Sequence, residues 1–430
     1  MEQPNNSSAP KKKPKTKSFH TFSYFTPWEI FVMFGNIVTF VVVRLYESFF
    51  TSRHDAMVWK VFQRRRPDPR DSGREYVKAI KYVLKTSDST HMALRCRFFC
   101  NERFGEFLAL LHLVLRALDT VEDDISKSVE TRVADLSKFH LVLQDPVKNQ
   151  LSCLYGMTDK ERDLMTNMPT LHKVFSTLDV TTRQIIIKVT TSMATGMIKY
   201  LGNAQIDTFQ DLEEYCFYVC GVLQRGFWEY GIAEGMEEGS VHPIGPRGPF
   251  DNPFATAMLV QEVHILSSFL EDTLMQPNPS LYLPKCLVQK YVLDQRDLLK
   301  EENLAKGVAC INEYISHTLT HILPSFARLD EMRTVPAQMV YRCIILLDVA
   351  HLVIYYGNEA AFKYTLIPDL LEAIIIFEGC TGKKCFFKRL RYYCVKLLEK
   401  VGDGEDETGR VVIERINEIM AECDKQLKTL

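Results

Sequence analysis

The chain has almost no net charge to offer a partner. Its 52 Lys and Arg against 54 Asp and Glu leave a formal charge of -2 over 430 residues, so no global basic field exists to hold nucleic acid through its phosphates. Twelve cysteines are present, but no CxxC pair and no CxxC…HxxxH zinc pattern. They read as reduced thiols facing the cytosol and packed as small hydrophobes. No repeat with a period of about 20 to 50 residues occurs, and alternating apolar and polar runs, the mark of strands, are scarce. No uninterrupted apolar run reaches the ~20 residues that span a bilayer, and no hydrophobic tail follows the last segment. With 46% hydrophobic and 25% charged residues, the chain carries enough core for one large folded domain or two smaller ones, and is not a disordered polymer.

The first segment that speaks is the N-terminus. Residues 1–18 are polar, rich in Pro and Ser, and carry Lys11, Lys12, Lys13, Lys15 and Lys17, a composition expected of a disordered basic tail. From Phe19 the chain turns apolar, and Ile30 to Val43 is uncharged, with Phe22, Tyr24, Phe25 and Trp28 before it and Arg44 closing it. Starting near Phe22 and tolerating Glu29 at the interface, the segment reaches membrane-spanning length, so 19–50 is expected to anchor the protein. A buried first helix, a cleaved signal and a helix lying in the membrane plane are the other readings. Basic residues on both sides leave its orientation open.

After a polar joint at 63–73, the chain reads as helix after helix. Apolar residues recur at three and four along Phe107, Leu110, Leu111, Val114 and Leu118, and again along Ile185, Ile186, Val189, Met193, Met197 and Tyr200. Gly and Pro concentrate at 234–253, 275–284 and 402–409, which predicts loops. The last segment, 411–430, places Val412, Ile416, Ile419, Met420 and Cys423 on one stripe and closes as an amphipathic helix. The expected class is all-α, a helical bundle around a central cavity, with the folded domain at 63–430.

Chemistry concentrates at 115–124, LRALDTVEDD. Asp119 and Asp123 lie four apart on one helical face, with Glu122 beside them, and like charges at that spacing cost a helix a few tenths of a kcal/mol (~0.2–0.5). Ligation of a divalent cation or a basic partner is the compensation; a solvated acidic face is the plain alternative. Oxygen-only ligands suit Mg²⁺, which prefers to share its shell with a phosphate, and Arg116 stands three residues before Asp119, placed to meet a diphosphate oxygen.

This stretch resembles the first aspartate-rich motif of squalene synthases, and the resemblance continues in order along 82–425. Met193, Gly196, Met197 and Tyr200 resemble the family's MxxGMxxY helix. Tyr215, Cys216, Tyr218, Val219 and Gly221 resemble its YCxYVAG stretch, and Gln261 to Asp272 its second acidic motif, QxxNIIRDYxED. Pro284 follows where the family has FWP; Cys310, Ile311, Asn312, Leu319 and His321 fit its CLN…ALxH helices, and Gln338 its PQ step. The resemblance implies the all-α isoprenoid-synthase fold and two molecules of farnesyl diphosphate in one cavity. It implies Mg²⁺ held by Asp119, Glu122, Asp123, Glu271 and Asp272, with substrate contacts from Arg116, Gln261 and Ser268. Head-to-head condensation would give presqualene diphosphate, with Tyr218 assisting proton removal and cation stabilisation, and NADPH would reduce the rearranged cation to squalene. A core tyrosine with a satisfied hydroxyl is the plain reading of Tyr218.

Departures from the family pattern fall on functional positions. Ser268 stands for the first aspartate of the second motif, Ser267 for the arginine before it and His264 for its asparagine. The diphosphate-binding SRSF stretch aligns with Thr90, His91, Met92 and Ala93. His112 replaces a tyrosine, and YVAGLVG becomes YVCGVLQ, which sets Cys220, Gln224 and Arg225 in the cavity-lining stretch. The basic segment associated with diphosphate and NADPH aligns with Leu366 to Leu371, which holds no cation, and Pro368 breaks the helix there. Three readings follow: a full squalene synthase, a diverged prenyl-diphosphate synthase with little or no NADPH use, and a non-catalytic binding, regulatory or inhibitor-resistance relative. The family works at the cytosolic face of the endoplasmic reticulum on a C-terminal anchor. Here the membrane link is expected to have moved to the N-terminal segment, leaving the main domain cytosolic.

Overall fold

A computed structural model describes residues 102–201, 206–237, 254–275 and 281–430. The expected tail at 1–18, the apolar segment at 19–50 and the stretch at Thr90 to Ala93 lie outside these residues. Every regular element among the described residues is helical. The first two are α1 (Glu102–Asp123) and α2 (Val129–Gln144), followed by the short α3 (Asp159–Thr166) and α4 (Met168–Ser176) and then the long α5 (Val180–Leu201). Next, α6 (Phe209–Cys216) runs through a π-helical turn (Phe217–Gly221) directly into α7 (Val222–Ala233). Beyond lie α8 (Ala255–Leu274), α9 (Leu304–Thr318), a 3₁₀ turn (Leu319–His321) and α10 (Ile322–Glu331). The chain closes with α11 (Val335–Tyr355), α12 (Leu370–Cys380), α13 (Lys383–Val401) and α14 (Glu407–Thr429).

The predicted stripes are the buried ones. In α1, Phe107, Leu110, Leu111, Val114, Leu118 and Val121 are almost wholly shielded from water, as are Ile185, Ile186 and Val189 in α5. Each such side chain contributes about 1.5–3 kcal/mol relative to exposure. Helix starts are fixed by side chains that satisfy otherwise orphaned amides. Thr158 and Glu161 form a reciprocal capping box on α3, and Thr208 and Asp211 do the same on α6. The final helix begins before the expected 411, because Asp406 caps it by accepting from the Gly409 amide at 2.6 Å. The expected loop at 402–409 therefore shrinks, and Gly402 and Gly404 take φ of +67° and +65° between the helices.

Packing places the site. Helix α5 lies against α1, α2 and α7, while α8 packs on α11, α9 and the π turn. The stretch Ala337–Tyr355 of α11 is long and apolar enough to cross a membrane by length and composition, but half of it is buried. It packs against α8, α12 and α13 as a core helix.

Candidate functional site

A cavity of about 440 Å³ opens where α1, α5, the α6–α7 junction and α8 meet. Its apolar wall is built from Leu115, Met193, Met197, Leu223 and Ile265, and its polar groups are Arg116, Asp119, Glu122, Asp123, Gln261, His264, Ser268 and Asp272, with Tyr218 and Cys220 from the π turn. Helical period explains the acidic arm: positions 119, 122 and 123 share the face of α1 adjacent to its apolar stripe.

Burial, ahead of neighbouring charge, raises the proton affinity of all three α1 carboxyls. Burial first and Asp123 second push Asp119 up to about 7, with Arg116 opposing. Burial, Asp123 and Asp119 push Glu122 up to about 8, with Arg132 opposing. Burial also raises Asp123, against the pull of Arg116. The Asp119 side chain keeps 38% of its surface open, yet that surface faces a recess walled by protein rather than bulk water, so desolvation still dominates. The two arginines that oppose these shifts, Arg116 and Arg132, do not outweigh burial.

Arg116 is the one Lys or Arg on the cavity wall among the described residues. Its Nη2 donates to Glu161 Oε1 at 2.9 Å, while Nη1 stays 4.0 Å from Asp119 Oδ2. Glu161 also accepts the amides of Met157 and Thr158 through Oε2 at 3.0 and 2.9 Å. The cap of α3 thus doubles as a clamp that aims Arg116. Reading the sequence for chemistry missed this role of Glu161, although the Thr158-x-x-Glu161 capping box was there to find.

The second arm is closed in on itself. Ser268 donates to Asp272 Oδ2 at 2.5 Å, so the hydroxyl that stands for a carboxylate ties up the carboxylate that remains. Burial raises the Asp272 carboxyl, and the Ser268 bond opposes that shift. Glu271, expected among the metal ligands, does not line the cavity. It is exposed and accepts from Thr365 at 3.3 Å, because adjacent helical positions diverge by about 100°. Gln224 and Arg225 likewise miss the cavity: Leu223, three residues after Cys220, is the next position on that face, and Arg225 pairs with Glu229 at 2.8 Å along α7.

Other side chains fit the recess closely. Burial pushes the Cys220 thiol up to about 12, keeping it protonated to donate to Gln261 Oε1 at 3.2 Å. His112 lies on the wall with its Nε2 buried and without a hydrogen-bond partner among the described residues, and burial together with Arg116 lowers its pKa. Tyr215 stacks on Tyr282 with centroids 5.1 Å apart and meets Tyr200 edge-on at 5.2 Å. Tyr282 comes from the stretch predicted as a loop, and nothing local in the sequence marks it as a wall residue. Gly196 lets α5 approach the π turn: a Cβ there would lie 2.3 Å from Tyr218 Cβ. At the segment aligned with the family's basic stretch, the Leu366 amide donates to the Tyr355 hydroxyl at 3.1 Å and Asp369 caps α12.

The squalene/phytoene synthase family model matches residues 86–351. Squalene synthase 8 of Panax ginseng is 27% identical over 320 residues, 74% of this chain and 77% of that protein. The squalene synthase of Mus musculus is 29% identical over 333 residues, 77% of this chain and 76% of its own length. A solved structure of TcSQS with a bound ligand shares the fold, with a TM-score of 0.74 and 23% identity over 82% of this chain and 99% of that one. Match, order of motifs and cavity agree: the chain belongs to the squalene/phytoene synthase family, whose chemistry is prenyltransferase-type, head-to-head isoprenoid condensation.

Proposed function

We propose that this chain binds farnesyl diphosphate in the α1–α5–α8 cavity with Mg²⁺ and joins two prenyl groups head to head, through presqualene diphosphate toward squalene. The observation that carries the reading is the convergence of Asp119, Glu122 and Asp123 on an apolar recess, where burial and then neighbouring carboxylates push Asp119 up to about 7 and Glu122 up to about 8. The donors fit Mg²⁺, being oxygens only, with Asp272 supplying one more from α8. Bound there, Mg²⁺ would neutralise the departing diphosphate.

The chain's own residues account for the rest. Arg116, aimed by Glu161, offers a diphosphate oxygen a charged donor. Leu115, Met193, Met197, Leu223 and Ile265 keep water from an allylic cation. Tyr218 brings a ring whose π face attracts such a cation, and a hydroxyl to take a proton. Leu366 to Leu371 offers an acid and apolar side chains where NADPH, a polyanion, calls for cations. Amphiphilic substrate and apolar product agree with association of the protein with the endoplasmic reticulum membrane through 19–50, the 63–430 domain lying in the cytosol. A protein fully extracted by high-salt and carbonate washes would refute that placement.

The deciding experiment incubates full-length protein with radiolabelled farnesyl diphosphate, with Mg²⁺ or chelator and with or without NADPH, and separates products from released diphosphate. Mg²⁺-dependent release with presqualene diphosphate or an alcohol supports the reading, and squalene that requires NADPH extends it to the reductive step. Binding without turnover would overturn it in favour of a binding protein on this fold, a reading that the Ser268 to Asp272 hydrogen bond favours.

A further inference from the structure

Behind the cavity wall, on the far faces of α6 and α8, four ionisable side chains meet that the condensation does not use. Glu213 comes from α6, Glu262 from α8, His317 from α9 and His321 from the 3₁₀ turn after it. His317 and His321 stand four residues apart, the spacing that projects two imidazoles from one helical face. Glu262 is wholly buried and His321 is 1% exposed. One ligand atom each from Glu213, His317 and His321 lie within 4.8 Å of one another.

At His317 the distances are those of ligands around an ion more than those of a finished hydrogen-bond network. His317 Nε2 is 3.5 Å from both Glu213 Oε1 and Glu262 Oε1, too long for a strong hydrogen bond, and it has no hydrogen-bond partner among the described residues. In a tetrahedron with Zn–N and Zn–O near 2.0–2.1 Å, neighbouring donors lie about 3.3–3.5 Å apart. His321 donates or accepts at 2.9 Å with Glu262 through Nε2, while its Nδ1 is buried with no hydrogen-bond partner among the described residues. The surroundings hold the donors in place: Thr318 donates to Glu262 Oε2 at 2.7 Å, and the Phe209 ring stacks on His317 at 4.1 Å.

We infer that Glu213, His317 and His321, with Glu262 as fourth ligand or as the acceptor that orients His321, form a structural site for a divalent transition-metal ion of borderline softness, of which Zn²⁺ is the type. Two imidazoles and a carboxylate suit that class, whereas the oxygen-only cavity set suits Mg²⁺. The ion joins three helices, of which α6 carries Tyr215 and α8 carries Gln261 on their cavity-facing sides. It braces the wall without touching substrate, so the inference stands whether or not the cavity proves catalytic.

The test loads full-length protein with Zn²⁺, removes loosely held metal by dialysis and counts zinc per chain. Wild type and the Asp119→Asn/Asp123→Asn variant, which lacks two of the four cavity carboxylates, are each expected to retain one equivalent and to melt at higher temperature with zinc than after chelation. His317→Asn and Glu213→Gln are expected to lose that equivalent and the zinc-dependent shift in melting. Zinc absent from wild type, or retained equally by both ligand variants, would overturn the assignment in favour of a plain buried ion-pair network. Should the ligand variants fail to fold, Co²⁺ substituted into Asp119→Asn/Asp123→Asn decides: imidazole-coordinated tetrahedral cobalt supports the site, and oxygen-only octahedral cobalt or none refutes it.

Discussion

Replacing Gly196 by alanine tests whether the closeness of α5 to the π turn positions Tyr218. The new methyl carbon would sit 2.3 Å from Tyr218 Cβ and 2.4 Å from its Cγ. Carbon atoms rest comfortably at about 3.5–4.0 Å, so the two elements must part by roughly 1.2 Å or more. The clash is with the root of the tyrosine side chain, not its tip, and no rotamer relieves it. Overpacking of this kind costs about 1–3 kcal/mol, and the gain in helix propensity of Ala over Gly offsets about 1 kcal/mol of that. The net loss of stability is therefore small, about 0–2 kcal/mol, and the melting temperature should fall by a few degrees at most. Turnover should suffer far more, since a displacement of about 1 Å at a positioned group costs on the order of 100-fold. Product formation from farnesyl diphosphate, measured beside thermal unfolding, separates the two effects. An alanine variant with wild-type turnover would show that Tyr218 need not be held where α5 holds it.

Asp119→Asn together with Asp123→Asn should abolish Mg²⁺-dependent diphosphate release; release at the wild-type rate would refute the metal assignment. Ser268→Asp should free Asp272 of its hydroxyl donor and raise Mg²⁺ affinity, read by titration calorimetry, while unchanged affinity would mean that α8 contributes no ligand. In metal-free protein the raised carboxyls favour folding only while protonated, so stability should fall as pH rises from the unfolded carboxyl range near 4 through about 7 for Asp119 and 8 for Glu122. Mg²⁺ should restore most melting temperature at the alkaline end, and a profile no different from that of the Asn double variant would contradict the electrostatic account. Glu161→Gln should weaken the hold on Arg116 and raise KM for the diphosphate with a smaller effect on kcat, measured by steady-state kinetics.

The sequence makes the helices legible wherever burial follows a 3.6-residue period, as in α1 and α5. The acidic arm is legible for the same reason, since period alone puts 119, 122 and 123 together. Misplacements come from single steps of rotation: Glu271 beside Asp272, and Gln224 and Arg225 beside Leu223, each sit about 100° or more from the face assigned to them. What a sequence window cannot show is long-range recruitment. Glu161 reaches Arg116 across 45 residues, and Tyr282 and the Glu213–His317–His321 meeting depend on where distant helices are brought together. His317-x-x-x-His321 was visible as a spacing, but no second half of a zinc motif lies near it in the chain.

The π turn at Phe217–Gly221 has a bearing on how this wall tolerates change. A π turn holds roughly one residue more than an α turn, so it acts as a phase offset between α6, which presents Tyr215, and α7, which presents Leu223. Loss of any one residue within it would let the backbone close into ordinary α-helix, at no cost in hydrogen bonds. Every side chain downstream would then keep its direction relative to every side chain upstream, because the residue lost is the one that the π turn absorbs. A deletion in this turn would therefore spare the α7 face, whereas the same deletion within α6 or α7 would rotate one face against the other by about 100°.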